Sequence, residues 1–160
     1  MSDRAYAFST QYNGLASQLI NEVYVSDTLK TLRIPLKSAY KCNGLWDTGA
    51  TNTVISSKII DELKLPIVSK TPIQSVNGRS ETTMHVIDLW LPNHMVIRKV
   101  RALRGDLPSE IGVLIGMDII VRGDFSISNY GCKTLFSYRS PSSSPMNYVE
   151  QVEAKSGGLQ

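Results

Sequence analysis

Asp47-Thr48-Gly49-Ala50-Thr51 decides the reading of this chain. It sets one carboxylate on a tight glycine turn between two apolar runs, Ala39 to Leu45 ahead of it and Thr53-Val54-Ile55 behind. The first run reads as a strand entering the turn, the second as a short strand leaving it. Such a triplet can be an ordinary Asx-type turn. It can also carry chemistry: two carboxylates about 3 Å apart and sharing one proton let one activate water while the other polarises a carbonyl. None of the other aspartates, Asp27, Asp61, Asp88, Asp106, Asp118 and Asp124 among them, repeats the Asp-Thr/Ser-Gly pattern. The partner carboxylate would therefore come from a second copy of the chain, with Asp47 near a two-fold axis.

At 160 residues the chain has the size of one domain, enough to bury a core without metals or disulfides. Its net charge of +3 is modest and its Lys and Arg residues are scattered. That lacks the basic stripe of a nucleic-acid binder. The opening Met-Ser-Asp-Arg-Ala-Tyr lacks the basic-then-apolar pattern of a secretory signal, and no apolar run approaches the ~18 residues that span a bilayer. The expectation is a cytoplasmic protein with no membrane partner. Cys42 and Cys132 form no Cys-x-x-Cys pair and read as buried strand thiols, and His85 and His94 stand apart. No metal and no cofactor is expected.

Residues 1–28 differ in texture from the rest of the chain. Leu15, Leu19, Ile20 and Val23 are spaced for one helical face after an Asn13-Gly14 turn, so this segment reads as a helical extension or a pro-segment. Leu32, Ile34 and Leu36 alternate with polar or Pro neighbours as in a strand, with Pro35 favouring an edge or a strand end. Beyond the Asp-Thr-Gly turn comes a helix, capped by Ser56 or Ser57, with Ile59, Ile60 and Leu63 on one face and Pro66 as its stop. Thr71 to Val76 and Arg79 to Leu91 flank Asn77-Gly78, a strong hairpin signal. Met95 to Leu103 reads as a strand, and Val113 to Gly116 as an apolar run leading into a short helix at Met117 to Ile120. Phe125 to Ser128 and Lys133 to Tyr138 read as a closing hairpin turned at Asn129-Tyr130-Gly131. Residues 140–160, rich in Ser and Pro at their start, read as a flexible tail. Many short strands with one or two short helices predict an all-β, closed-barrel domain over residues 29–139.

Taken in order, these parts resemble the retropepsin family, the single-domain aspartic proteases of retroviruses and their cellular, transposon and bacterial relatives. The resemblance rests on Gly44-Leu45-Trp46-Asp47-Thr48-Gly49-Ala50-Thr51, the short strand Thr53 to Ile55, the hairpin Gln74 to Arg79, and Leu114-Ile115-Gly116-Met117-Asp118. It implies a homodimeric aspartic endopeptidase that takes an extended peptide, with Asp47 as the catalytic carboxylate. Thr48, Gly49, Ala50, Thr51, Ile115 and Gly116 are implied as support of the active-site loop, and Val76, Asn77 and Gly78 as a flap that closes over substrate. The flap departs from the glycine-rich viral pattern, having Gly78 alone among Ser75, Asn77, Arg79 and Ser80. The alternative is a retropepsin-fold dimerisation or protein-binding module with little hydrolysis. The intact Asp-Thr-Gly-Ala favours the enzyme, since binding alone gives no chemical reason for a carboxylate pair.

Overall fold

The computed structural model describes residues 5–28, 39–75 and 78–156, with the backbone alone at 73–75, 78–80 and 156. In chain order the elements are β1 (Tyr6–Gln11), β2 (Leu19–Asp27), β3 (Tyr40–Trp46), β4 (Val54–Ser56), α1 (Ser57–Leu63), β5 (Ser69–Ser75), β6 (Gly78–Leu91), β7 (Met95–Gly105), β8 (Val113–Ile115), α2 (Met117–Ile120), β9 (Asp124–Ser128), β10 (Leu135–Ser140) and α3 (Tyr148–Ser156). One sheet runs β2-β3-β8-β4-β7-β6-β5. A further pairing of β2 with β6, from Tyr24 opposite Trp90 to Asp27 opposite Ile87, closes it into a barrel with β5 outside the ring. The second sheet is β1-β10-β9.

Period-two burial builds both sheets. In β10 Phe136 and Tyr138 point inward, and Phe8 does so from β1. Trp46 at the end of β3 packs against all three and against Phe125 of β9, with ring centroids 5.0 to 6.1 Å apart. These rings are what fasten the small sheet to the barrel. Burying a side chain of this size contributes about 1.5–3 kcal/mol, far more than an exposed ion pair would.

The N-terminal segment is not a helix. Leu19, Asn21, Val23 and Val25 are buried on one face of β2 while Leu15, at 68 % exposure, lies outside it. Spacings of four residues suit either period, and the polar Asn21 at a core position hid the alternation. This segment is also bound into the fold, through β2 with β3 and β6 and through β1 with β10. The strand expected around Leu32 to Leu36 falls outside the described residues.

Helix α1 buries Ile59 and Ile60, and its chain reverses at Lys64 in the left-handed region (φ 51°) before Pro66. Ser56 occupies the N-cap but its side chain makes no capping bond. The expected C-terminal tail contains helix α3, capped by Asn147, whose Oδ1 accepts from the Val149 and Glu150 amides and whose Nδ2 donates to Glu150 Oε1. Asn147, with Glu150 three residues on, was legible as a helix start. Among the described residues no helix is long and apolar enough to cross a membrane.

Only one of the two thiols matches its expected setting. Cys42 is half-buried in β3, and burial pushes its thiol up to about 12. Cys132 is exposed, in a 3-10 turn between β9 and β10 with φ 58°. Iodoacetamide at neutral pH should therefore alkylate Cys132 rapidly and Cys42 only on unfolding, because the thiolate is the nucleophile. Peptide mass mapping after a timed quench reads this, and equal labelling of both would contradict the burial of Cys42.

Candidate active site

Trp46, the last residue of β3, sets the position of the carboxylate next to it in the chain. Its ring is held in the aromatic cluster, and its Nε1 donates to Asn21 Oδ1 at 3.0 Å while Asn21 Nδ2 donates to Thr10 Oγ1 at 2.6 Å. A buried amide is thereby satisfied and the indole is fixed at its edge as well as its faces.

From there the chain turns. The Asp47 amide donates to Ile115 O at 2.9 Å, extending the parallel pairing of β3 with β8 by one residue. The Gly49 amide donates to Asp47 Oδ1 at 2.8 Å and the Ala50 amide to Asp47 O at 3.3 Å. The carboxylate is thus oriented by the glycine two residues on. On the far side of the loop, Ala50 O accepts from Met117 N at 2.8 Å and Thr51 O from Asp118 N at 3.2 Å. Buried Thr53 ties the two halves together: its hydroxyl donates to Asp118 Oδ1 at 2.8 Å and accepts from Gly116 N at 3.3 Å. Asp47, Gly49, Ala50, Thr51, Ile115 and Gly116 are therefore linked by hydrogen bonds into one unit, with Thr48 exposed at the tip of the turn.

Asp47 is half-buried and opens on a cleft of about 480 Å³. Ala16, Ser17, Gln18, Leu19, Phe125, Ile127 and Asn129 line it, and Thr48 stands exposed beside the carboxylate. Among the described residues lining it, Asp47 is the one carboxylate. No group of His, Cys, Asp or Glu suited to a metal ion occurs among the described residues. Ile127 is 44 % exposed, and Leu15 and Tyr130, next to lining residues in the chain, are exposed as well. A larger cavity of about 640 Å³ lies elsewhere, beside Lys41, Lys58, Asp106 and Glu110, and holds none of the Asp47 loop.

A family model described as Aspartyl protease matches residues 36–119, just over half of the chain and with Asp47 inside the match. The chain belongs to the aspartyl protease family. No curated protein matches it. Among solved structures, the retropepsin-like aspartic protease of Rickettsia conorii aligns over 86 % of this chain and 96 % of its own, with TM-score 0.56 and 14 % identity. That likeness establishes the retropepsin-like fold. The EIAV protease bound to an inhibitor aligns over 68 % of this chain and 89 % of its own at 26 % identity with TM-score 0.46. The simian foamy virus protease aligns over 64 % and 91 % at 13 % identity, also with TM-score 0.46.

For this aspartyl protease family member, the flap is the part of the sequence expectation with least to compare. Gly78 opens β6 opposite Ser75, and Val76 and Asn77 lie outside the described residues. Sequence reasoning missed Thr53, Asp118 and Asn21. A signal existed for each, since all three are polar residues set within otherwise apolar strand or helix patterns. Away from this loop, the Asp124 carboxylate on β9 is already engaged by its neighbours. Ser142 donates to Asp124, Arg139 pairs with it, and both hold it below the usual carboxylate range.

Proposed function

We propose that this chain is an aspartic endopeptidase that works as a homodimer. One Asp47 from each subunit forms the dyad, one activating water while the other, protonated, polarises the scissile carbonyl of an extended peptide. The observation that carries the reading is Asp47 itself: an oriented, solvent-reachable carboxylate on a hydrogen-bonded loop, in a cleft whose described residues supply no second carboxylate. The dyad then needs the symmetry mate. Exposed Leu15, Ile127 and Tyr130 around that cleft supply the apolar surface a partner would cover.

In this reading Gly49 N–H steadies the ionised carboxylate, and the Thr48 hydroxyl reaches across the axis to the partner's loop. Thr51, Ala50, Ile115 and Gly116 keep the loop rigid, and Val76, Asn77 and Gly78 form the flap that excludes water. The test is digestion of a denatured protein mixture from pH 4 to 7, with and without pepstatin, and then sequencing of the new termini. New termini that pepstatin suppresses support the reading, and none in any condition overturns it in favour of a binding module.

Because each site needs two chains, activity should fall faster than linearly on dilution through the dimer dissociation constant, with specific activity dropping about tenfold one decade below it. Sedimentation run beside the assay reads both quantities. A monomer with full specific activity would contradict the shared dyad.

A further inference from the structure

We propose that the outer edge of β9 is where two copies of this chain meet, the strand pairing with its own copy across a two-fold axis beside Asp47. This rests on the endopeptidase reading above and names the surface its dimer uses. Three strands stand at the ends of sheets in this fold, β5, β1 and β9. Two of them are guarded. β5 carries Lys70 and Pro72, residue types that keep an edge from accepting a new strand, and on β1 the Asn93 side chain already donates to Ala7 O at 2.8 Å. β9 has neither device. Among the described residues, no hydrogen bond reaches the backbone of Phe125 to Ser128 from the side away from β10.

That open edge lies where the dyad needs its second copy. Phe125 and Ile127 line the same cleft as Asp47 and Thr48, whereas no residue of β1 or β5 does. Antiparallel pairing of β9 with itself, about an axis perpendicular to the sheet, is isologous and keeps each face of the strand on its own side. The Phe125 and Ile127 faces of both copies, and with them both Asp47 loops, then fall on one side of the joined sheet. Pairing centred on Ser126 uses all five residues of the strand. It sets exposed Ile127 opposite the partner's Phe125, an aromatic and β-branched pair of the kind that stabilises adjoining strands. No free charge meets its own copy there, because the one ionised residue of β9, Asp124, is engaged by Arg139 and Ser142. The two small sheets become one, in the order β1-β10-β9-β9-β10-β1.

Two variants of the full chain test the edge. In a Cys132→Ser background, Ser126→Cys should oxidise to a disulfide-linked dimer as the main product, since opposed residues of antiparallel strands have Cα atoms about 4.5–5.5 Å apart, within disulfide reach. The linked dimer should keep its specific activity on about hundredfold dilution, where the unlinked protein loses it. Ile127→Lys should raise the dimer dissociation constant, read by sedimentation, about a hundredfold, because it sets two like charges at diagonal positions across the axis. Its circular dichroism should match the wild type, as Ile127 is exposed in the single chain. Mixing it with Ile127→Glu should bring the constant back to within about tenfold of the wild-type value. A wild type that is monomeric throughout, a dimer that forms no crosslink at position 126, or an Ile127→Lys protein that dimerises like the wild type overturns the proposal. So does a mixture with no recovery. Should Ile127→Lys not fold, the crosslink decides alone. A chain that crosslinks at 126 yet cleaves nothing overturns the endopeptidase reading and supports this interface. One that cleaves as a dimer without that crosslink overturns this inference alone.

Discussion

Asp47→Asn is expected to lower kcat/KM by about 10³-fold or more, because general acid–base catalysis of this kind contributes roughly 10² to 10⁴ and one substitution removes it from both halves of the dyad. The fold should survive. Asparagine keeps a carbonyl oxygen where Asp47 Oδ1 accepts the Gly49 amide, and the backbone bonds from Asp47 N to Ile115 O and from Ala50 N to Asp47 O do not involve the side chain. Circular dichroism and a thermal melt should match the wild type while peptide cleavage disappears. Mixing the two proteins in equal amounts sharpens the test, since with random exchange roughly a quarter of the dimers carry two Asp47 side chains. Activity should fall toward that fraction of an equal amount of wild type. A variant that cleaves at the wild-type rate would sink the catalytic assignment, and a mixture that keeps half the activity would sink the shared site.

What the sequence disclosed and what it concealed divide along a physical line. The Asp-Thr-Gly turn, the two apolar runs beside it, the Ile115-Gly116 segment and the short helices at α1 and α2 were legible because local chemistry alone specifies them: a glycine turn, alternating or helical apolar spacing, a proline stop. The N-terminal strands were misread because their decisive contacts are distant. Asn21 is a polar residue in a core position, tolerated only because Trp46, 25 positions away, donates to it. Without that partner in view, Leu15, Leu19 and Val23 look like a helix stripe. Thr134 shows the same limit, since nothing near it in the chain announces a bond to Ala16, 118 residues earlier. The C-terminal helix is the opposite case. Its Asn147 cap was local and readable, but Tyr148, Val149 and Val152 are all exposed, so no apolar core face signalled the helix behind it.

Gly116→Ala is expected to damage the site more than any other single-methyl addition to its loop. Gly116 has φ −91° and ψ −174°, an extended conformation open to any residue, so backbone freedom is not why glycine stands there. The reason is proximity. A Cβ at this position would lie 2.6 Å from the carbonyl carbon of Asn52, 2.7 Å from its oxygen and 2.9 Å from Ala50 O. These are backbone atoms that cannot swing aside as a side-chain tip would, and forcing a methyl among packed backbone costs about 1–3 kcal/mol or more. The strain falls on the bonds that define the site, because Met117 N to Ala50 O, Asp118 N to Thr51 O and Gly116 N to Thr53 Oγ1 all run between the two segments that must separate. Moving Ala50 and Thr51 tilts the turn that aims Asp47. Gly116→Ala should therefore lower the melting temperature by roughly 4–8 °C or more. It should also cut kcat/KM by a factor larger than the loss of folded protein explains, since a displacement of about 1 Å in catalytic groups costs near 10²-fold. Thermal melts and active-site titration separate the two effects. A variant that melts as wild type would show that the loop yields easily. One that loses stability while each folded molecule turns over at the wild-type rate would show that β8 and α2 support the barrel without aiming the carboxylate.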